Sequence, residues 1–463
     1  MQADRGHSGS RLTLVAPATR ERFAGRFSRP RDESHVLTAA SSGTLHDDMP
    51  AAVDHAASLA AVEAGFRSLP DRFLGAERGF DATWRIVFGD IGHTWEVRCT
   101  SHGARARKGA TGRRPDVVIG TDSATWMALR RGELSGIEAF SERRLYARGN
   151  LDLAIGFEGL FRLENGRRPL LRIHDVRLPG RRVSTLTMGA GPDVLLLHGL
   201  GGAKSSFLDA AAALSRRYRV HALDLPGFGG SSKPTTAAYT ARYFADTVRA
   251  TMDALGIGHA HIAGNSMGGR VAIELGLRHP ERVGGLALLC PAVAFVKRTY
   301  HPLVRVLRPE LGLLPHRFAR QRVTEAFWSL FADPDAIDPS MADVVVDEFQ
   351  RIYSSPGGRI AFLASARNIY LEAPFGRNGF YGRLSQLEAP ALFVWGSHDT
   401  IIPPAFARHV ARWLPSAEQI VLEDCGHVPQ VERAAQCSAL LERFFGRVDA
   451  LAPLSVARGR KAA

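Results

Sequence analysis

Ser266 lies in the hexapeptide Gly264-Asn265-Ser266-Met267-Gly268-Gly269, and Asp399 and His427 follow it in the chain. A serine hydroxyl is a weak nucleophile until a base takes its proton. An imidazole titrates near neutrality and can be that base. A carboxylate behind the imidazole fixes which nitrogen carries the proton and stabilises the imidazolium. Serine, aspartate and histidine in this order therefore point to acyl transfer. Ser266 attacks a carbonyl carbon, His427 moves the proton, Asp399 orients His427, and water frees the acyl-enzyme.

These three groups need elements that bring them to one place. Before Ser266 runs the apolar stretch His261-Ile262-Ala263, and after it the helical pattern Arg270-Val271-Ala272-Ile273-Glu274-Leu275-Gly276-Leu277, closed by His279-Pro280. A serine between a strand end and a helix start occupies a very tight turn, and the residues two places either side must be small because strand and helix nearly touch. Asp399 follows the strand pattern Ala391-Leu392-Phe393-Val394-Trp395-Gly396, and His427 comes shortly after Gln419-Ile420-Val421-Leu422. Residues just past the carboxyl ends of parallel strands share one face of a sheet. His398 precedes the aspartate directly, so it points elsewhere and is expected at the rim.

The wholly apolar run Val194-Leu195-Leu196-Leu197 reads as a buried parallel strand and leads into His198-Gly199-Leu200-Gly201-Gly202. Its spacing is not that of a Gly-x-Gly-x-x-Gly phosphate loop. It suits an oxyanion hole made by two backbone amides, Leu200 and Met267. Asp224, in Asp224-Leu225-Pro226-Gly227-Phe228-Gly229, reads as a carboxylate that holds loop amides.

Residues 170–447 resemble the α/β-hydrolase superfamily. The resemblance rests on Leu197-His198-Gly199, the Asp224–Gly229 string, the hexapeptide around Ser266, and Gly396-Ser397-His398-Asp399 with Gly426-His427. It implies a doubly wound, eight-stranded, mostly parallel α/β sheet flanked by helices, with a helical lid inserted at about 291–387. Arg351, Arg359 and Arg367 in that lid read as a solvated helix face. Asn265-Ser266-Met267-Gly268-Gly269 also occurs in relatives that hydrolyse carbon–carbon bonds of ring-cleavage products. Those commonly carry a tryptophan after the catalytic histidine and Gly-Pro-Gly in the oxyanion loop; this chain has Val428 and Leu200-Gly201-Gly202-Ala203.

The front of the chain has another texture. Phe80–Phe88 and His93–Cys99 alternate as a hairpin does, Asp116-Val117-Val118-Ile119-Gly120 is a further strand, and Asp122 or Ser123 caps a helix bearing Trp126, Met127 and Leu129. Residues 54–165 resemble the sterol-carrier-protein-2 family of lipid-binding domains. The matching residues are Asp116–Ile119, Leu129-Arg130-Arg131-Gly132-Glu133-Leu134, Ala139-Phe140 and Leu145-Tyr146-Ala147-Arg148-Gly149-Asn150. The resemblance implies a smaller α+β domain with helices over an apolar tunnel.

At 463 residues and 45% hydrophobic content the chain suits two or three domains with real cores. The net charge of +13 is nearly all arginine, scattered rather than striped, with no aromatic-interleaved recognition module. That argues against specific nucleic-acid binding and leaves weak contact with anionic membrane surfaces or acidic ligands. Cys99, Cys290, Cys425 and Cys437 show no metal-ligand spacing and read as reduced core thiols, which suits the cytoplasm. Residues 1–49 read as a disordered segment without a secretory signal, Met49 being a second candidate start, and residues 448–463 as a disordered basic tail. Neither a cofactor nor a metal is implied. The expectation is a serine hydrolase acting on a hydrophobic carboxylic ester, acyl thioester or lipid, with a lipid-binding accessory domain. A carbon–carbon hydrolase, an acyltransferase and a lipid carrier with a vestigial hydrolase fold are the alternatives.

Overall fold

Two sheets account for the strands of the computed structural model, which describes residues 55–296, 308–314 and 318–459. The front sheet has five strands in the order β3-β2-β1-β4-β5: β1 Asp81–Phe88, β2 His93–Thr100, β3 Gly103–Lys108, β4 Val117–Thr121 and β5 Leu145–Gly149. The alternating β1 sequence buries Ala82, Trp84, Ile86 and Phe88 on one face. Against that face packs α1, His55–Arg72. Phe66 of α1 lies between Trp95 and Trp126, with ring centroids 4.9 Å and 4.8 Å away. The hairpin and the cap are as the sequence indicates: β1 and β2 pair antiparallel, and Asp122 Oδ1 accepts the Thr125 amide at 2.7 Å at the start of α2, Ser123–Arg131.

The second sheet has eight strands in the order β13-β12-β11-β10-β8-β9-β7-β6. They are β6 Arg172–Leu178, β7 Arg181–Met188, β8 Asp193–Leu197, β9 Arg219–Leu223, β10 Ala260–Asn265, β11 Val283–Leu289, β12 Ala391–Gly396 and β13 Glu418–Leu422. Strands β8 to β13 pair in parallel, while β6 and β7 form an antiparallel edge. β8 shows why the central strands read as continuous apolar runs. Leu195 and Leu197 enter the core on one face, Val194 and Leu196 the core on the other. Helices Ala241–Ala254 and Met267–Arg278 cover the first face, Leu208–Leu214 and Ala434–Gly459 the second. The chain winds outward in both directions from β8, so a crevice opens at the carboxyl ends of β8 and β10.

The carboxyl-terminal helix departs from the disordered tail expected from residue 448. It continues to Gly459, with Phe444 and Phe445 buried. Asp449 accepts the Tyr218 hydroxyl at 2.8 Å and bonds His261 Nε2 at 2.9 Å. The arginine-rich composition of the last residues hides this apolar, carboxylate-anchored face. Residues 460–463, like 1–49 and Met49, lie outside the described residues. Between β11 and β12 stand the helices Arg320–Trp328, Pro339–Tyr353 and Pro356–Leu371, while 297–307 and 315–317 lie outside the description. Arg359 is buried rather than solvated there, because the carbonyls of Gly312 and Ser354 accept its guanidinium N–H groups at 2.9 Å and 2.6 Å. All four cysteines are free and buried. Among the described residues no helix is long and apolar enough to cross a membrane.

An apolar cavity opens beneath the front sheet, lined among others by Ile119, Trp126, Ala147, Ala154 and Phe157, with Leu208 of the second sheet's covering helix closing one side. Its accessible space is about 80 Å³. Ligand pockets usually offer about 300 Å³ or more, so a long chain enters this one only by parting its walls. Glu158 stands in the wall and accepts the Gly136 amide at 2.5 Å. Burial pushes its carboxyl up from 4.5 to about 7. The folded protein thus holds this proton more tightly than the unfolded chain. The resulting stabilisation is complete below about pH 4.5 and is lost as pH rises through about 7. Glu158→Gln keeps an acceptor for Gly136 and removes the titration. Its thermal midpoint should match wild type near pH 4.5 and exceed it at pH 8; equal differences at both pH values would refute this.

Candidate active site

Ser266 has φ 50° and ψ −114°, in the left-handed half of backbone space that a side chain rarely occupies. Such a residue costs about 1–3 kcal/mol and persists only where its surroundings hold it. Here they do. The Ser266 amide donates to the Leu289 carbonyl at 2.9 Å, and the Ser266 carbonyl accepts the amides of Ala292 at 2.9 Å and Arg270 at 3.1 Å. The turn also demands glycine on both sides. A Cβ on Gly264 would stand 2.5 Å from the Gly268 carbonyl carbon, and one on Gly268 would stand 2.0 Å from the Leu197 oxygen.

Asp399 lies past the end of β12 and is almost wholly buried. Its Oδ1 accepts the amides of Ile401 and Ile402 at 2.8 Å and 2.9 Å, and its Oδ2 accepts His427 Nδ1–H at 2.8 Å. Both carboxylate oxygens are thus engaged, and the imidazole keeps Nε2 as its proton-accepting nitrogen. The loop carrying His427 is pinned by Glu432, which accepts the amides of Gly426 at 2.5 Å and Ala332 at 2.7 Å. His427 N–H donates to the Leu330 carbonyl at 2.7 Å, which ties this loop to the helical insertion. The side-chain amide of Asn265 donates to the His427 carbonyl at 3.0 Å and to Leu289 at 3.1 Å. The residue before Ser266 is therefore bonded directly to the backbone of His427. His398, by contrast, is exposed; its ring meets the neighbouring Ser397 hydroxyl at 2.9 Å, and its backbone amide donates to the Cys425 carbonyl at 2.9 Å.

The loop after β8 passes close to the serine, since a Cβ on Gly199 would lie 3.3 Å from Ser266 Cβ. His198 is fully buried. Its Nε2 accepts the Leu225 amide at 3.0 Å and its Nδ1–H donates to the Gly199 carbonyl at 2.7 Å. Burial holds the ring below its ordinary pKa, so it stays neutral in this tautomer. Gly202 N–H donates to the same Gly199 carbonyl at 3.1 Å. That carbonyl and the Leu200 N–H belong to one trans peptide plane, so fixing the one aims the other in the opposite direction. Met267 is the first residue of the helix Met267–Arg278, and its amide is among those that helix geometry leaves without an intrahelical partner. Asp224 holds loop amides as its setting indicates, accepting Lys204 N–H at 2.6 Å and Gly230 N–H at 2.7 Å.

Cys290, Asp399 and His427 place their ligand-type atoms within 4.8 Å of one another. Burial, with Asp399 beside it, pushes the Cys290 thiol well up. The sequence reading overlooked several aromatic residues in the helical insertion. Phe318, Phe349, Tyr353 and Phe362 pack as one cluster, with Phe349 and Tyr353 ring centroids 4.2 Å apart. A Cβ on Gly201 would meet Phe362 at 3.3 Å and Phe349 at 3.4 Å, so these rings abut the loop after β8.

Comparison with known proteins agrees with this fold. A model of the alpha/beta hydrolase fold matches residues 192–434, more than half of the chain, and one of the SCP-2 sterol transfer family matches residues 78–162. The chain is 30% identical over 286 residues to 2-hydroxymuconate semialdehyde hydrolase of Pseudomonas putida, covering 60% of this chain and 95% of that protein. It is 29% identical over 270 residues to pimeloyl-acyl-carrier-protein methyl ester esterase of Aeromonas hydrophila, covering 57% of this chain and 99% of that one. The crystal structure of a membrane phospholipase A, described as a bacterial virulence factor, superposes with a TM-score of 0.52 at 29% identity over 60% of this chain and 87% of that chain. With strand order, serine turn and sequence match in agreement, the chain belongs to the alpha/beta hydrolase fold family, and it carries ahead of that fold a block similar to the SCP-2 sterol transfer family.

Proposed function

We propose that Ser266, His427 and Asp399 form a catalytic triad that hydrolyses hydrophobic carboxylic esters or acyl thioesters through an acyl-enzyme. The observation that carries this reading is the strained Ser266, bound through Asn265 to the loop whose His427 is already oriented by Asp399. In the proposed reaction His427 Nε2 takes the hydroxyl proton as Ser266 Oγ bonds to the carbonyl carbon. The amides of Leu200 and Met267 hold the oxyanion. His427 returns the proton to the departing alcohol or thiol, and a water activated by the same imidazole releases the acid. The aromatic cluster against the oxyanion loop supports a hydrophobic acyl or alcohol portion.

The front block supports lipid binding as an accessory role, its apolar cavity parting around an acyl chain. The test is a series of p-nitrophenyl esters from acetyl to palmitoyl, together with a fluorophosphonate probe. Wild type should be labelled and should turn over the longer esters more efficiently. Filling the cavity by Ala147→Leu should lower turnover of long esters and spare acetate. Absence of both labelling and ester turnover refutes the catalytic reading; equal effects on all chain lengths refute the accessory one. The similarity to 2-hydroxymuconate semialdehyde hydrolase favours a second reading, carbon–carbon hydrolysis of a dienoic ring-cleavage product. Turnover of a dienone series without ester turnover would establish it.

A further inference from the structure

Lys204 closes the oxyanion loop, four residues after Leu200, and its side chain has no solvent exposure. An ammonium buried in this way costs several kcal/mol unless it is fully paired. Three groups pair it: Asp224 Oδ2 at 2.6 Å, Asp152 Oδ1 at 2.7 Å and Ser184 Oγ at 3.1 Å. Burial works against the charge, but the two carboxylates outweigh it and hold Lys204 above its ordinary pKa. Asp224 and Ser184 belong to the eight-stranded part. Asp152 does not; it comes from the front block, in the first turn of α4, Leu151–Gly156. Leu151, Ala154 and Ile155 of the same short helix line the apolar cavity.

The loop from His198 to Lys204 is therefore held at both ends by one stretch of chain. His198 is bonded to the Leu225 amide, and Lys204, through both its amide and its ammonium, to the neighbouring Asp224. Asp152 supplies the second carboxylate on the ammonium. We infer that Asp152 of the front block is a positioning residue for hydrolysis, which acts through Lys204 to keep the Leu200 amide aimed at the developing oxyanion. The inference rests on the serine-hydrolase reading of that loop. It makes the front block a structural part of the active site, whatever its cavity binds.

A misaimed oxyanion donor weakens the transition state and leaves substrate binding nearly unchanged. Full-length Asp152→Asn should therefore show kcat lowered about tenfold with KM within about twofold of wild type, part of the hundred- to thousandfold that loss of a whole donor costs. The inhibition constant of a trifluoromethyl ketone, which mimics the tetrahedral intermediate, should rise by the same factor. Asp152→Glu should fall between the two. In a Lys204→Met background, Asp152→Asn should cost nothing further, because the group it acts through is gone. A variant with a lower thermal midpoint but kcat and ketone inhibition within twofold of wild type overturns the inference. Should Asp152→Asn not fold, Asp152→Glu carries the test, and an unchanged kcat in it has the same force. If wild type shows neither ester turnover nor fluorophosphonate labelling, the serine-hydrolase reading fails and takes this inference with it. Labelled wild type with kinetically silent variants removes this inference alone.

Discussion

Ser266→Ala should lower ester turnover by about a million-fold and abolish fluorophosphonate labelling, with the fold retained. The hydroxyl supplies the attacking atom, so no neighbour can compensate. The backbone bonds that hold the turn, from Ser266 to Leu289, Ala292 and Arg270, do not involve the side chain. Alanine at φ 50° keeps the strain that serine already carries, so the thermal midpoint should move by no more than a few degrees. Retention of more than about a thousandth of wild-type kcat would exclude Ser266 as nucleophile. Asp399→Asn offers a graded companion, with a loss of about ten thousandfold. An amide –NH₂ facing Nδ1 would favour the tautomer with its proton on Nε2, and that nitrogen could no longer accept from the serine.

Gly268→Ala should be among the most damaging single methyl groups at the described glycines. The added carbon would stand 2.0 Å from the Leu197 oxygen and 2.7 Å from the His198 oxygen, both backbone atoms at the carboxyl end of β8. No flexible side chain can yield there. Either the helix Met267–Arg278 retreats from the sheet or the loop after β8 shifts outward. Overpacking of this kind costs about 3 kcal/mol or more. Denaturant titration should show that loss, with kcat reduced in whatever fraction still folds. Wild-type stability and kcat in this variant would mean that strand and helix do not approach each other as described.

The site was legible wherever a chemical residue follows a buried strand. Ser266, Asp399 and the loop of His427 each come shortly after a strand pattern, His261–Ala263, Ala391–Gly396 and Gln419–Leu422, and parallel strands present their carboxyl ends on one side. The front hairpin was equally plain, because alternation in β1 buries every second residue. Lys204 was not legible. A lysine in a glycine-rich loop reads as solvated, and nothing local says that carboxylates 20 and 52 residues away enclose it. The end of the carboxyl-terminal helix was missed because the basic cluster Arg458-Gly459-Arg460-Lys461 reads as a solvated tail, while Asp449 finds its partners, Tyr218 and His261, in distant strands and loops. Arg359 was misread for a similar reason, since one of its carbonyl partners, Gly312, lies 47 residues earlier in the short helical turn Pro309–Leu313. The aromatic group around Phe349 assembles from helices separated by turns, so its members share no single spacing.

The two halves of the protein share atoms of their interiors: Ile137 of the front block enters the core beneath the second sheet, Leu208 closes the front cavity, and Asp152 neutralises Lys204. The seam near residue 166 is thus a joint in the polypeptide but not in the solid it forms. An excised eight-stranded part beginning there would leave Lys204 with Asp224 and Ser184 but without its second carboxylate, and would present an apolar scar to water, while an excised front block would have an open cavity wall. Such fragments would fail for want of their other half.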